Sequence, residues 1–140
     1  MPTPAPDVTI ALEPSLSREE FARVLNASTL GERRPVDDLK RLEGMLRRAD
    51  IIVTARTPDG RLVGVSRALT DFHHATYLAD LAVDRSHQRQ GIGKRLIAAT
   101  HEAAGLSTML ILIAAPAARD YYPHIGMQRH DSCWTIDRSS

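Results

Sequence analysis

Apolar and polar positions along this chain change their spacing several times, and each change marks an element. Val8 to Leu12 alternates in the manner of a first strand. Ser17-Arg18-Glu19-Glu20 reads as a capping box, with the serine accepting from the amide three residues on and Glu20 reaching back. Leu16 and Phe21 are spaced as a hydrophobic staple across it, and Phe21, Val24 and Leu25 give the first helix one apolar face. Pro35 and Asp37 open a second helix, where Leu39, Leu42, Met45 and Leu46 recur at helical spacing over a charged face. Ile51 to Arg56 and Leu62 to Thr70 read as strands joined at the turn Pro58-Asp59-Gly60. A further turn, Asp71 to His74, leads into a third long strand, Ala75 to Val83.

After Val83 the chain becomes polar, passes two glycines at Gly91 and Gly93, and resumes helical spacing. Leu96, Ile97, Thr100 and Ala104 form the inner face of that helix, with Gly105 as its stop. Thr108 to Ala115 is continuously apolar after its first residue, so it is expected to be a strand buried on both faces, as in a parallel crossover. Gly126 closes a short helix that Asp120 would cap, with Pro123 in its first turn. Met127 to Ile136 is expected to supply one or two final strands. The order β-α-α-β-β-β-α-β-α-β is mixed α/β.

Composition narrows the function classes. The chain has 140 residues, of which 43% are hydrophobic, so one domain spanning residues 1–140 is expected. The prolines of residues 1–6 and the last residues, 138–140, are expected to be disordered. A net charge of +1 gives no case for nucleic-acid or membrane binding. The longest apolar stretch, Met109 to Ala118, is too short to span a bilayer and contains Pro116. No signal peptide is legible at the start, and the single Cys133 excludes an internal disulfide, which together point to a cytoplasmic setting.

The positive charge is concentrated instead. Between Asp84 and Arg95 lie four basic residues, Arg85, Arg89, Lys94 and Arg95, and one acid. A strand, a glycine loop and a helix start form an anion cradle, because the first helical amides lack intrahelical acceptors and the helix dipole is positive there. The P-loop pattern fails, since Gln88 stands at its first glycine and Arg95 at its Mg²⁺-binding hydroxyl. The dinucleotide fingerprint fails at Leu96, where Gly or Ala is required.

What fits is Gln-x-x-Gly-x-Gly, present as Gln88, Gly91 and Gly93. With LADLAVDRSHQRQGIG upstream and Tyr121-Tyr122-Pro123-His124-Ile125-Gly126-Met127 downstream, this region resembles the GNAT (GCN5-related N-acetyltransferase) superfamily from Leu62 to Met127. The resemblance implies a single-domain α/β fold with a mixed central sheet, about four helices, and fourth and fifth strands that splay apart around the cosubstrate's pantetheine arm. It implies acetyl-CoA as donor, with no metal, and direct transfer to a primary amine of a small molecule or protein. It places oxyanion-stabilising amides at Leu81, Ala82 and Val83. The diphosphate contacts fall on Gln88, Arg89, Gln90, Gly91, Ile92, Gly93, Lys94 and Arg95. A homodimer is an assembly the family often adopts.

By motif position Tyr122 corresponds to the tyrosine that gives a proton to the coenzyme sulfur, with Tyr121 as a packing aromatic. A phenol near pKa ~10 and a thiol near ~8.5 differ by about 1.5 units, roughly 2 kcal/mol uphill, so the phenol is protonated at neutral pH and can hydrogen-bond a developing thiolate. Asp80 is the one carboxylate on its strand and stands as the base or acceptor contact, with Ala79 where the family more usually has a glutamate. His73 and His74 stand at the turn into the same strand as alternative bases, while Asp71, His73 and His74 lack a fourth ligand for a metal site. Arg33, Arg34, Arg67 and Asp71 are polar candidates for the acceptor side. The competing readings are a non-catalytic CoA-binding or regulatory module and a kinase-type nucleotide enzyme.

Overall fold

Long runs of apolar and β-branched residues need ladder partners, and here five strands supply them to one another. The computed structural model describes residues 7–139. Its sheet has the order β1 (Thr9–Leu12), β2 (Ile51–Arg56), β3 (Leu62–Thr70), β4 (Ala75–Val83) and β5 (Met109–Leu112). Neighbours from β1 to β4 are antiparallel, whereas β4 and β5 are parallel and joined through a helical crossover. The helices are α1 (Arg18–Ser28), α2 (Leu39–Arg47), α3 (Ile92–Ala104) and the single turn α4 (Tyr121–His124). The expected mixed α/β sheet with four helices is therefore present.

Two cores form, one on each face. Val53, Ala55, Val63, Ala68 and Leu78 of the sheet pack with Ile92, Leu96 and Ala104 of α3. On the other face Ile52, Leu62, Val65 and Ala82 pack with Phe21, Val24 and Leu25 of α1 and Leu42 and Leu46 of α2. Ser17 caps α1 as expected, accepting from the Glu20 amide at 3.2 Å. The Glu20 carboxylate does not reach back, however. It is drawn across to Arg56, at 2.7 Å and 2.9 Å, because an ion pair with two hydrogen bonds outcompetes one bond to an amide. The second helix opens later than Pro35 and Asp37: it starts at Leu39, and Asp38 is its cap, accepting from the Arg41 amide at 3.0 Å. The connection before it holds a 3-10 turn, Leu30–Arg33, that periodicity does not reveal.

The register between β3 and β4 slips by one residue. Arg67 is opposite Asp80, but Ala68 is opposite Leu78, so Ala79 is an extra, bulged residue. A bulge reverses the side-chain alternation that follows it. Leu78 therefore points into the α3 core, whereas Asp80 and Ala82 point to the α1–α2 face.

Two expectations about the C-terminal third need correction. β5 pairs with β4 only from Ala75↔Met109 to Leu78↔Leu112, and its side chains alternate between exposed and half-buried rather than lying buried on both faces. An apolar run signals a strand but not whether a second layer covers it. Among the described residues no strand follows Leu112, so the final strands expected between Met127 and Ile136 are absent. Strand propensity without a ladder partner leaves the backbone unpaired, and Trp134 and Ile136 are almost wholly exposed. Disorder of residues 1–6 and 140 falls outside the described residues, while 138 and 139 are exposed and have no regular structure.

Candidate functional site

Where β5 departs after Leu112, β4 runs on from Ala79 to Val83 with no strand among the described residues on that side. Asp84 donates its amide to the Val63 carbonyl at 2.8 Å. Antiparallel ladders alternate, so the backbone groups of Ala82 face β3 while those of Leu81 and Val83 face the gap. The Val83 carbonyl confirms this orientation, since it accepts from Gln88 Nε2 at 2.9 Å. Ala82 is buried by its side chain in the α1–α2 core and turns its backbone to β3, so it offers nothing to the gap. The splay lies where the resemblance implies it.

The loop beyond β4 is built to turn sharply into α3. Asp84 accepts from the amide and hydroxyl of Ser86, at 2.9 Å and 2.8 Å, which fixes the 3-10 turn Arg85–His87. Arg89 and Gly91 both adopt positive φ, 63° and 82°, and Gly91 occupies the cap position with no side-chain bond to the helix amides. The first turn of α3 thus presents its amides without a capping side chain, the arrangement that suits an anion. Gln88, Arg89, Gln90, Lys94 and Arg95 are exposed around it, while Ile92 and Gly93 are buried. Two of the nearby cations are anchored elsewhere: Arg85 donates to the Ala27 carbonyl at 3.2 Å, and Arg95 to the Val8 carbonyl at 3.2 Å.

Gly93 has an ordinary helical φ, and its lack of a side chain serves another purpose. A Cβ there would lie 2.6 Å from the Tyr121 hydroxyl. Burial pushes the Tyr121 phenol above its ordinary value, and the nearby Lys94 amide opposes that rise. α4 is therefore seated on the start of α3 by the tyrosine that the sequence marks as packing. Tyr122 stacks edge-on against it, with ring centroids 5.2 Å apart. Burial, and secondarily the neighbouring Tyr121, push the Tyr122 phenol above its ordinary value. The docking of Tyr121 on Gly93 has no local signal, because the two residues belong to different elements.

Asp80, the candidate base, is found between two guanidiniums. Its oxygens accept from Arg34 Nε and Arg67 Nε, and its side chain is fully buried. Asp71 builds a turn instead of a site: one oxygen accepts from the amides of His74, His73 and Ala75, at 2.7, 2.9 and 3.0 Å. Those bonds hold its carboxyl at about 2. His87 Nδ1 pairs with the Ser86 hydroxyl at 2.9 Å, and Cys133 is exposed. Among the described residues no group of His, Cys, Asp or Glu is arranged to hold a metal ion, and no helix is long and apolar enough to cross a membrane.

Comparison with known proteins gives the same region. The Acetyltransferase (GNAT) domain family matches residues 48–128, more than half of the chain. Solved structures are similar over nearly all of it. A GNAT-family acetyltransferase from Streptococcus pneumoniae TIGR4 has a TM-score of 0.76 at 22% identity, covering 95% of this chain and 98% of that one. An aminoglycoside acetyltransferase from an uncultured soil metagenomic sample, solved with sisomicin, gives 0.70 at 19%, covering 96% and 97%. A ribosomal-protein-alanine N-acetyltransferase from Brucella melitensis biovar Abortus 2308 gives 0.67 at 27%, covering 94% and 99%. A comparison with curated protein sequences gave no match.

Proposed function

The chain belongs to the GNAT acetyltransferase family, and on that premise we propose that it moves an acetyl group from acetyl-CoA to a primary amine by direct attack. The observation that carries this reading is the unpaired edge of β4 opening onto an uncapped α3. An extended amide-bearing chain such as pantetheine is complementary to the outward backbone of Leu81 and Val83. A diphosphate is complementary to the first amides of α3, with Lys94 and Arg89 adding charge. At the start of α3 it takes the place of the Tyr121 hydroxyl, which lies over Gly93.

The cosubstrate supplies an activated acyl carbon and a thiolate leaving group. The protein's part is electrostatic and positional. The Leu81 amide, directed into the gap, stabilises negative charge that develops on the thioester oxygen. The amine nitrogen bonds to the acyl carbon, the carbon–sulfur bond breaks, and the sulfur takes the Tyr122 proton. The amine's surplus proton leaves to water, and the phenolate is reprotonated from solvent. Asp80 is not assigned the role of base, since both its oxygens face guanidiniums and its side chain is closed to solvent. The amine therefore reacts from its unprotonated fraction.

Two measurements test the reading. Tyr122→Phe should lower kcat about 10²-fold or more, the lower range for loss of a general acid, with KM for acetyl-CoA nearly constant. The raised phenol also fixes the pH profile: activity climbs as the amine loses its proton, and any fall attributable to Tyr122 comes only above its ordinary value near 10. Thiol release from acetyl-CoA across an amine panel gives the readout. Tight CoA binding with no turnover on any amine would instead support a binding or regulatory module.

A further inference from the structure

The ion cluster around Asp80 has a charge left over. Two guanidiniums, Arg34 and Arg67, grip one carboxylate whose side chain is 0% exposed, and they are themselves only 21% and 11% exposed. Arg34 also donates to the Ala79 carbonyl at 3.0 Å and to the Arg33 carbonyl at 2.9 Å. Arg67 reaches the Met45 carbonyl, in the last turn of α2, at 3.4 Å. These carbonyls, and the negative end of the α2 dipole, offset the second cation only in part. One positive charge thus lies at a place where water screens it poorly, a costly arrangement unless an anion completes it.

The position of that charge is informative. Arg34 is bonded to Ala79, and Leu81, whose amide faces the gap, is two residues along the same strand. At about 3.3 Å per residue the separation along the edge is roughly 6–7 Å, a span that a small bifunctional molecule bridges. A guanidinium has five N–H donors in a planar fork. Three nitrogens of Arg34 each make one bond, and among the described residues no acceptor engages the two remaining N–H groups.

We infer that the Arg34–Asp80–Arg67 cluster is an anion subsite of the acceptor pocket, and that the acceptor is an amine bearing a carboxylate a few bonds from its nitrogen. A single surplus charge matches a carboxylate better than a phosphate dianion, and the fork geometry matches its two oxygens. The inference rests on reading the β4 edge as the place of acyl transfer. Asp80 keeps Arg34 aimed at that edge, and Arg34 selects the acceptor.

The test compares matched amines: amino acids against the amines that decarboxylation would leave, such as alanine against ethylamine. The carboxylated member of each pair should have kcat/KM higher by about 10- to 100-fold, the range of a charge-assisted hydrogen bond, with the gap mainly in KM. Arg34→Gln leaves Asp80 and Arg67 as a neutral pair and should collapse that ratio toward one, while Arg34→Lys should restore part of it. Equal kcat/KM within pairs, or a ratio that Arg34→Gln does not move, overturns the subsite. If no amine is turned over, the acetyl-transfer reading fails first, and a second measurement then decides this one. Titration of the unliganded protein with propionate should shift the arginine Nε–H resonances at millimolar concentration, and Arg34→Gln should abolish the shift. Absence of that shift overturns the subsite independently of catalysis.

Discussion

Arg56 and Asp80 are each held by two side chains of opposite charge, so the two clusters are inverted copies of one stoichiometry. Arg56 bonds Glu13 at 2.6 and 2.9 Å and Glu20 at 2.7 and 2.9 Å, and it leaves one negative charge over. Asp80 bonds Arg34 and Arg67 and leaves one positive charge over. The first cluster lies at the end of β2, with Arg56, Glu13 and Glu20 at 24%, 28% and 39% exposure, where water screens the excess. In the second the shared carboxylate is 0% exposed and its partners 21% and 11%, and Arg34 reaches the Ala79 carbonyl of β4. A surplus charge in water costs little and does little, whereas the same surplus in a buried wall is a standing demand for a counter-ion. The Glu13–Arg56–Glu20 cluster is architectural: it ties the segment before α1, and the first turn of α1, to the sheet.

The largest break in this comparison should come from Asp80→Asn. It removes the carboxylate that buried Arg67 and half-buried Arg34 share and leaves them to repel each other. A loss of about 3–5 kcal/mol is expected, the usual cost of removing one partner from a buried pair. Urea unfolding measures it directly. A loss below about 1 kcal/mol would mean that the cluster behaves like a surface pair.

Arg34→Gln should cost less, because it leaves Asp80 and Arg67 as a neutral pair. The expected loss is about 1–2 kcal/mol, from bonds to Asp80, Ala79 and Arg33 set against relief of the surplus charge. The ratio of the two effects sharpens the argument. If Arg34→Gln destabilises as much as Asp80→Asn, the second arginine is structural and its charge is not in excess.

None of this inversion was legible in the chain, although the frame around it was. Ser17 as a cap, the strand spans from Ile51 to Val83, and the glycine loop into α3 follow from local spacing, and local spacing is what a sequence displays. Asp80 lies on the strand that the sequence predicts, but as the centre of an ion cluster rather than as a base or acceptor contact. Its true surroundings depend on the bulge at Ala79, which is set by pairing with β3 rather than by the residues of β4 alone. Glu20 was assigned to its own helix because the competing Arg56 lies 36 residues away. The run Thr108–Ala115 was given two buried faces because apolar character reports burial in general and not which layer provides it. At Gly93 the missing side chain also makes room for the Tyr121 hydroxyl, a contact between elements that no local spacing displays.

The smallest effect belongs to the exposed cluster, and pH separates its parts. Hydrogen bonds from Arg56 hold both Glu13 and Glu20 below their ordinary value of 4.5, against an opposing push from burial. A carboxylate depressed in the folded state stabilises the protein above its unfolded value, and that contribution is lost as pH falls through the lowered folded value. Water screening keeps the ionic part below about 1 kcal/mol. Arg56→Gln should therefore be less stable than the native chain at neutral pH, and the difference should shrink as pH drops below about 4.5. It should not shrink to zero, because Arg56 also donates to the Gly60 carbonyl at 2.9 Å, and that bond does not titrate. Urea midpoints from about pH 6 down to about pH 3 resolve the two components, since the range brackets the ordinary glutamate value. A difference that stays constant across the range would assign the whole effect to Gly60. Glu13 and Glu20 would then contribute nothing measurable, and their contrast with the carboxylate of Asp80 would be complete.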